Sequence, residues 1–169
     1  MKEGCPVYIR DVNGETTAQF CRLANSVLGT QYPPESFEAA PRGHHLLYIC
    51  KVAVVHGEVV GGIRAHSVAD GSSSIVPSAM YIDMLAVSPV WQHQGIGSIL
   101  LEQVELLCRE CYVHVLQLHT PVNNTAAIRW YVDRHSFVEG DVVPDFYLST
   151  PMEAGRLSRD AVLLSRVME

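Results

Sequence analysis

The chain has 169 residues, enough for one domain with a proper core and too few for two ordinary ones. Hydrophobic residues make up 48% and charged residues 18%, which excludes a disordered chain, and no apolar run reaches the roughly 18 residues that span a bilayer. A net charge of -6 with His neutral argues against a broad nucleic-acid surface and is compatible with a cationic substrate.

In chain order, Val7 to Val12 reads as a first strand and Asn13-Gly14 as a turn. Thr16 or Thr17 is placed to cap a helix whose apolar positions are Phe20, Leu23, Ala24, Val27 and Leu28, and Gly29 ends it. The loop Tyr32-Pro33-Pro34-Glu35-Ser36-Phe37 is stiffened by two prolines, and Pro41 to His45 is a further loop. Leu46 to Val55 and Glu58 to His66 form a hairpin about His56-Gly57, with Gly61-Gly62 marking a bulge or a close backbone approach. After the turn Asp70 to Ser74 comes a strand, Tyr81 to Val87, rich in Ile, Leu, Val and Tyr and stopped by Pro89. The loop Gln92-His93-Gln94-Gly95-Ile96-Gly97-Ser98 then opens a helix with Leu100, Val104, Leu107, Cys108 and Cys111 on one face. Val115 to Thr120 is a strand, Ala126 to Arg134 a helix behind the capping run Asn123-Asn124-Thr125, and Phe137 to Val143 a strand. Pro144-Asp145-Phe146-Tyr147 begins a loop through Pro151 and Gly155, and Ala161 to Val167 is the last strand. This order predicts an α/β fold: a mixed sheet of about seven strands flanked by helices, three layers in a single domain over residues 1–169. The strands on either side of the glycine-loop helix should run parallel and close together.

Five cysteines are an odd number in a chain whose first residues, MKEGCPVYIR, lack the apolar core of a signal peptide, so a disulfide framework is not expected. Cys108-x-x-Cys111 lies on an apolar helix face and reads as core packing. The eight His residues show no H-x-x-x-H or H-E-x-x-H spacing, so no metal site is expected.

A glycine turn at a helix N-terminus presents free backbone N–H groups, and the helix dipole favours an anion there. The loop Gln92 to Ser98 is therefore a candidate pyrophosphate cradle. Side chains alternate along a strand, so Tyr81, Asp83 and Leu85 should share a face, as should Gln117 and His119 on the neighbouring strand. Divergence of the two strands would leave a slot lined by Tyr81, Asp83 and His119. A mid-sheet carboxylate is costly, so Asp83 needs a partner or a task.

Gln92-x-x-Gly95-x-Gly97 resembles the acetyl-CoA loop of the GNAT acetyltransferases, and the segment from Asn124 through Tyr131 to Phe137 resembles that family's second block of Asn, helix, Tyr and apolar strand. With the element order, the resemblance covers nearly the whole chain. Within the superfamily the chain is most similar to the N-terminal (Nα) acetyltransferases of the NatE and NatF kind, through Tyr32-Pro33-Pro34-Glu35, the pairs Tyr81-Ile82 and Leu118-His119, the loop Pro144-Asp145-Phe146-Tyr147 and the final Asp160-Ala161-Val162-Leu163. Ser36, Asp83 and Gln92-His93 depart from those enzymes' pattern.

The resemblance implies acetyl-CoA as cofactor. Gln92, His93 and the N–H groups of Gln94, Gly95, Ile96, Gly97 and Ser98 would hold its pyrophosphate. The edge of Leu85, Ala86 and Val87 would pair with the pantetheine arm, with Asn124 opposite, and an N–H near Leu85 would polarise the thioester. Tyr131 would protonate the departing thiolate, while Tyr81 and His119 would accept the amine proton through water. Tyr32, Pro33, Pro34, Asp83, Phe146 and Tyr147 would form the acceptor site. An α-amine with a pKa of about 7.7–8.0 costs roughly 1.4 kcal/mol to neutralise at pH 7, against roughly 4–5 kcal/mol for a lysine near 10.4. The cheap proton suits the Tyr81–His119 pair; the costly one would need Asp83 as a general base. The expected function is therefore Nα-acetylation of Met-hydrophobic protein N-termini. The alternatives are acetylation of a lysine or small amine, and a non-catalytic acetyl-CoA-binding subunit of a larger complex. The chain ends at its final strand without the amphipathic segment that anchors NatF-type enzymes, so a cytoplasmic protein with no membrane or nucleic-acid partner is expected.

Overall fold

Asn13 starts the first helix. Its side chain accepts from the Glu15 and Thr16 amides while the Thr16 hydroxyl accepts from the Asn13 amide, a reciprocal capping box. The cap is thus Asn13 and not Thr16 or Thr17, because a side-chain oxygen one residue before the helix reaches two orphan amides at once. The computed structural model describes residues 5–37, 47–69, 77–152, 155 and 157–168. The loop Pro41 to His45, residue Leu46 and the turn Asp70 to Ser74 lie outside the described residues.

The elements are β1 (Tyr8–Asp11), α1 (Gly14–Leu28), β2 (Tyr48–Val55), β3 (Glu58–Val68), β4 (Ala79–Val87), α2 (Ile96–Glu110), β5 (Val115–Pro121), α3 (Thr125–Arg129), β6 (Val138–Val143) and β7 (Ala161–Val167). The predicted helix over 126–134 is divided. After Arg129 the chain widens into a π-helical turn, Trp130–Arg134, which buries Tyr131. The strands form one mixed seven-stranded sheet in the order β1-β2-β3-β4-β5-β7-β6. All neighbours are antiparallel except β4 and β5, the strands joined through α2.

Helix α1 covers one face, where Phe20, Cys21 and Ala24 pack with Phe37, Val52, Met84 and Ala86. Helix α2 covers the other with Ile96, Leu100, Leu101, Val104 and Cys108, joined by Tyr131 and Phe137. Each large side chain removed from water in these layers contributes about 1.5–3 kcal/mol. Cys108 is fully buried, Cys111 packs at the rim of the same layer, and both are free thiols. The paired glycines on β3 mark a close approach: a Cβ on Gly62 would sit 2.5 Å from the Phe20 ring. Among the described residues no helix is long and apolar enough to cross a membrane.

Two irregularities position the site. Strands β4 and β5 are registered only at Met80–Leu116 and Tyr81–Gln117, so from Ile82 onward the edge of β4 that faces β5 has no ladder partner. Strand β4 also carries a bulge. Arg64 pairs with Met84 and Ala65 with Ile82, leaving Asp83 as the extra residue. The bulge flips the alternation, so Met80, Ile82 and Leu85 belong to the α2 face, whereas Met84 and Ala86 belong to the α1 face. Leu85 therefore does not share a face with Tyr81, as strict alternation predicts.

Candidate active site

The splayed strands open a cavity of about 670 Å³ that runs from the start of α2, between β4 and β5, to the loops beyond α1 and β6. At its α2 end His93 (φ 61) and Gly95 (φ 86) both adopt left-handed backbone, curling the loop so that the helix begins at Ile96. The first intrahelical bond there is from the Ile99 amide to the Gly95 carbonyl, 3.0 Å. The preceding amides have no acceptor within the helix, and the residues from Gly95 to Ser98 line the cavity end. A Cβ on Gly95 would meet nothing within 4 Å, whereas one on Gly97 would press on the Trp130 ring at 3.2 Å. The open space at Gly95 and the unladdered edge of β4 together fit a phosphate group followed by a thin chain. The side chains brace this loop: Gln92 Nε2 donates to the Val87 carbonyl at 3.0 Å and Gln94 Nε2 to the Val90 carbonyl at 3.1 Å.

Of the residues expected at the cofactor end, Leu85, Val87, Gln92, His93, Gly95, Ile96, Gly97, Ser98, Asn124 and Tyr131 line the cavity. Ala86 is instead buried beneath α1, and Gln94 turns its amide away from the wall. Asn124 caps α3, its Oδ1 accepting from the Ala127 amide at 3.4 Å. Tyr131 stands edge-on to Trp130 and Phe137, and burial pushes its phenol well above the ordinary range, so it stays protonated. Arg129, Trp130, Arg134 and His135 were not anticipated. The first three line the cavity, and His135 Nε2 lies 3.1 Å from the Ser98 Oγ. The π-helical turn that carries Trp130 and Arg134 has no local sequence signature.

At the opposite end His119 is held from three sides. Its Nδ1 lies 3.0 Å from the Tyr81 hydroxyl, its ring stacks on Phe146 at 4.1 Å, and its carbonyl accepts from the Tyr147 hydroxyl at 3.1 Å. Burial lowers its pKa below the ordinary 6.5, so the ring is neutral at pH 7. The Tyr81 hydroxyl is pushed up to about 12 by burial and by the Asp83 charge, partly offset by a hydrogen bond with the His119 backbone. Both groups are thus neutral, and in either imidazole tautomer the pair keeps a lone pair with which to accept a proton. His119 lines the cavity, while Tyr81 and Phe146 stand behind and beside it.

Asp83 also lines the cavity, but it has partners: His66 Nδ1 at 2.9 Å and Arg64 Nε at 3.7 Å. Tyr32 reaches the cavity with its backbone clamped by Asn25, whose amide exchanges two 3.0 Å bonds with the Tyr32 N–H and carbonyl. Pro33 and Pro34 are exposed and outside it. Thr30 pairs with Met152 and the Gln31 amide donates to the Pro151 carbonyl at 3.1 Å, so the loops after α1 and before β7 meet in an arch over this end.

The model of the Acetyltransferase (GNAT) family matches residues 17–137. Among solved structures, the chain is similar to Naa50 of Arabidopsis thaliana in complex with the bisubstrate analogue CoA-Ac-MVNAL, at 26% identity and a TM-score of 0.74 over 96% of this chain and 99% of that one. It is similar in fold to NAA60 of Arabidopsis thaliana with a bisubstrate analogue, at 22% identity and TM-score 0.78 over 97% and 99%. It also shares its fold with the ribosomal-protein-S18-alanine N-acetyltransferase of Escherichia coli, at 20% identity and TM-score 0.74 over 97% and 95%.

Proposed function

The chain belongs to the GNAT family of acetyl-CoA-dependent N-acetyltransferases, and from that premise we propose that its acceptor is the α-amine of a Met-hydrophobic protein N-terminus. The observation that carries this reading is the Tyr81–His119 pair, neutral and hydrogen-bonded at 3.0 Å, beneath the arch of Thr30 and Met152. An arched site admits a chain end more readily than a lysine on a folded surface. A neutral imidazole next to a high-pKa phenol matches an amine that needs to lose only about one pKa unit of proton affinity at pH 7. The solved Naa50 of Arabidopsis carries a peptide bisubstrate analogue, which supports a peptide acceptor on the same scaffold.

Acetyl-CoA supplies an activated thioester. The amides from Gln94 to Ser98 would hold its pyrophosphate, with Arg129 and Arg134 adding positive charge along the wall. The free edge of β4 at Leu85 to Val87 would receive the pantetheine arm, and Asn124 would stand opposite. Tyr32 and Tyr147 would wall the acceptor, with Phe146 supporting His119 from behind. The Tyr81–His119 pair would take the amine proton through a water, and the protonated Tyr131 would supply one to the thiolate. The Asp83 carboxylate is already engaged by His66 and Arg64, which weighs against its serving a lysine acceptor. One catalytic domain over 1–169, a cytoplasmic location and docking on a larger N-terminal acetyltransferase complex belong to the same proposal.

The test is turnover by the purified chain with acetyl-CoA on three acceptor sets: Met-hydrophobic peptides, the same peptides with blocked α-amines, and polyamines. Acetylation confined to the free α-amines is expected. Activity that survives the block would move the acceptor to a side-chain or small amine, and acetyl-CoA binding without any turnover would make the chain a non-catalytic subunit.

A further inference from the structure

We propose that Arg64 is a positioning residue that holds the acceptor loop, residues 29–37, in place over the site, and that Asp83 and His66 exist to aim its guanidinium. The bulge of β4 brings Asp83 within reach of two residues of β3. His66 pairs with Tyr81 and Arg64 with Met84, so the extra residue Asp83 lies between the partners of two polar residues on β3 and its carboxylate reaches both. His66 Nδ1 meets the Asp83 Oδ2 at 2.9 Å, and Arg64 Nε lies 3.7 Å from the same oxygen.

The Arg64 guanidinium points away from the best bond available to it. An Arg beside a carboxylate ordinarily makes a bidentate fork. Among the described residues Nε is buried without a hydrogen-bond partner, and Nη1 donates instead to the backbone carbonyl of Ser36. The side chain is only 14% exposed and lies over the Tyr48 ring at 5.5 Å. A buried cation needs its charge compensated; Asp83 does that, while the hydrogen bond goes to the loop. Ser36 adjoins Phe37, a fully buried ring that stands edge-on to Phe20 at 5.1 Å and to Tyr32 at 6.5 Å. A shift of the Ser36 carbonyl would therefore pass through Phe37 to Tyr32 at the cavity wall. The chain Asp83–Arg64–Ser36–Phe37–Tyr32 links the strand that carries Tyr81 to the loop that would contact the acceptor.

This inference rests on the peptide-acceptor reading for its kinetic readout but not for its structural one. In the full chain, Arg64→Met should raise KM for a Met-hydrophobic peptide about tenfold, the usual worth of a charge-assisted hydrogen bond. KM for acetyl-CoA should be unchanged and kcat should stay within about twofold. Asp83→Asn should shift the peptide KM in the same direction but less, and Arg64→Lys should restore part of it. In parallel, amide exchange at Ser36 and Phe37 should accelerate in Arg64→Met while the α2 amides keep wild-type rates. Should Arg64→Met unfold the chain, Arg64→Lys and Asp83→Asn carry both readouts. Unchanged loop exchange overturns the proposal, and so does a loss of kcat at constant peptide KM with a lost limb in the pH profile, which would make Asp83 the base. Absence of wild-type peptide turnover would refute the acceptor assignment alone, and the exchange result would still decide the role of Arg64.

Discussion

Replacing His119 by Gln removes the proposed proton acceptor but keeps a polar side chain against Tyr81 and Phe146. The size of the effect follows from what the base has to do. At pH 7 roughly one-tenth of an α-amine with a pKa near 7.9 is already neutral, and at pH 9 more than nine-tenths is. General base catalysis contributes about 10²–10⁴-fold, and an amine that needs so little help belongs at the low end. We expect His119→Gln to lower kcat/KM for a Met-hydrophobic peptide about 10²-fold at pH 7. The deficit should shrink by roughly tenfold between pH 7 and pH 9, as solvent removes the proton that His119 no longer takes. In the wild-type enzyme the acid limb should lie below 6.5, because burial lowers the His119 pKa and keeps the ring neutral to more acid pH. The assay is initial velocity across pH 6–9 with saturating acetyl-CoA, alongside calorimetric binding of CoA, which should be unaffected. A deficit that stays constant from pH 7 to pH 9 would refute the reasoning, since His119 would then act on something other than the amine proton.

Stability should fall on acidification. Burial lowers both His119 and His135 below their ordinary 6.5, so the unfolded chain binds protons more readily than the folded one. The stabilisation from their neutral forms is complete above about 6.5 and is lost as pH falls through the folded-state values; thermal melts from pH 7.5 to 5 should show this, with a shallower slope in His135→Gln. Gly62→Ala should destabilise the fold by about 1–3 kcal/mol in denaturant titrations, because the new Cβ meets the buried Phe20 ring at 2.5 Å; Gly14→Ala, with nothing within 4 Å, should not. Gly95→Val should weaken CoA binding about tenfold by calorimetry, since φ 86 costs a branched residue about 1–2 kcal/mol and the loop relaxes out of its cradle. Equal affinity in that variant would separate the left-handed turn from cofactor binding.

The glycine loop and its helix were legible because everything that shapes them is local: Gly95 supplies the left-handed turn, Ile96 begins the helix, and the apolar spacing of Leu100, Val104 and Cys108 sets the buried face. The parallel pairing of β4 and β5 and the last strand, Ala161–Val167, were legible for the same reason. The bulge at Asp83 was not. Asp83 stands out in Ile82-Asp83-Met84 as a carboxylate, but nothing local marks it as a bulge, since the extra residue exists only in relation to β3. That single unpaired position reverses the faces of Leu85 and Ala86 and places the carboxylate beside Arg64 and His66, whose pairing with β4 is a property of the sheet and not of either strand. The sequence left Asp83 with two possible fates, a partner or a task. The sheet supplies two partners, His66 at 2.9 Å and Arg64 at 3.7 Å, so the carboxylate is engaged within the sheet. His119 is left as the proposed proton acceptor, and its neighbours Tyr81, Phe146 and Tyr147 come from β4 and from the loop before β7. Local sequence could therefore mark the glycine loop, whereas the surroundings of Asp83 and His119 depend on contacts between strands that only the folded sheet brings together.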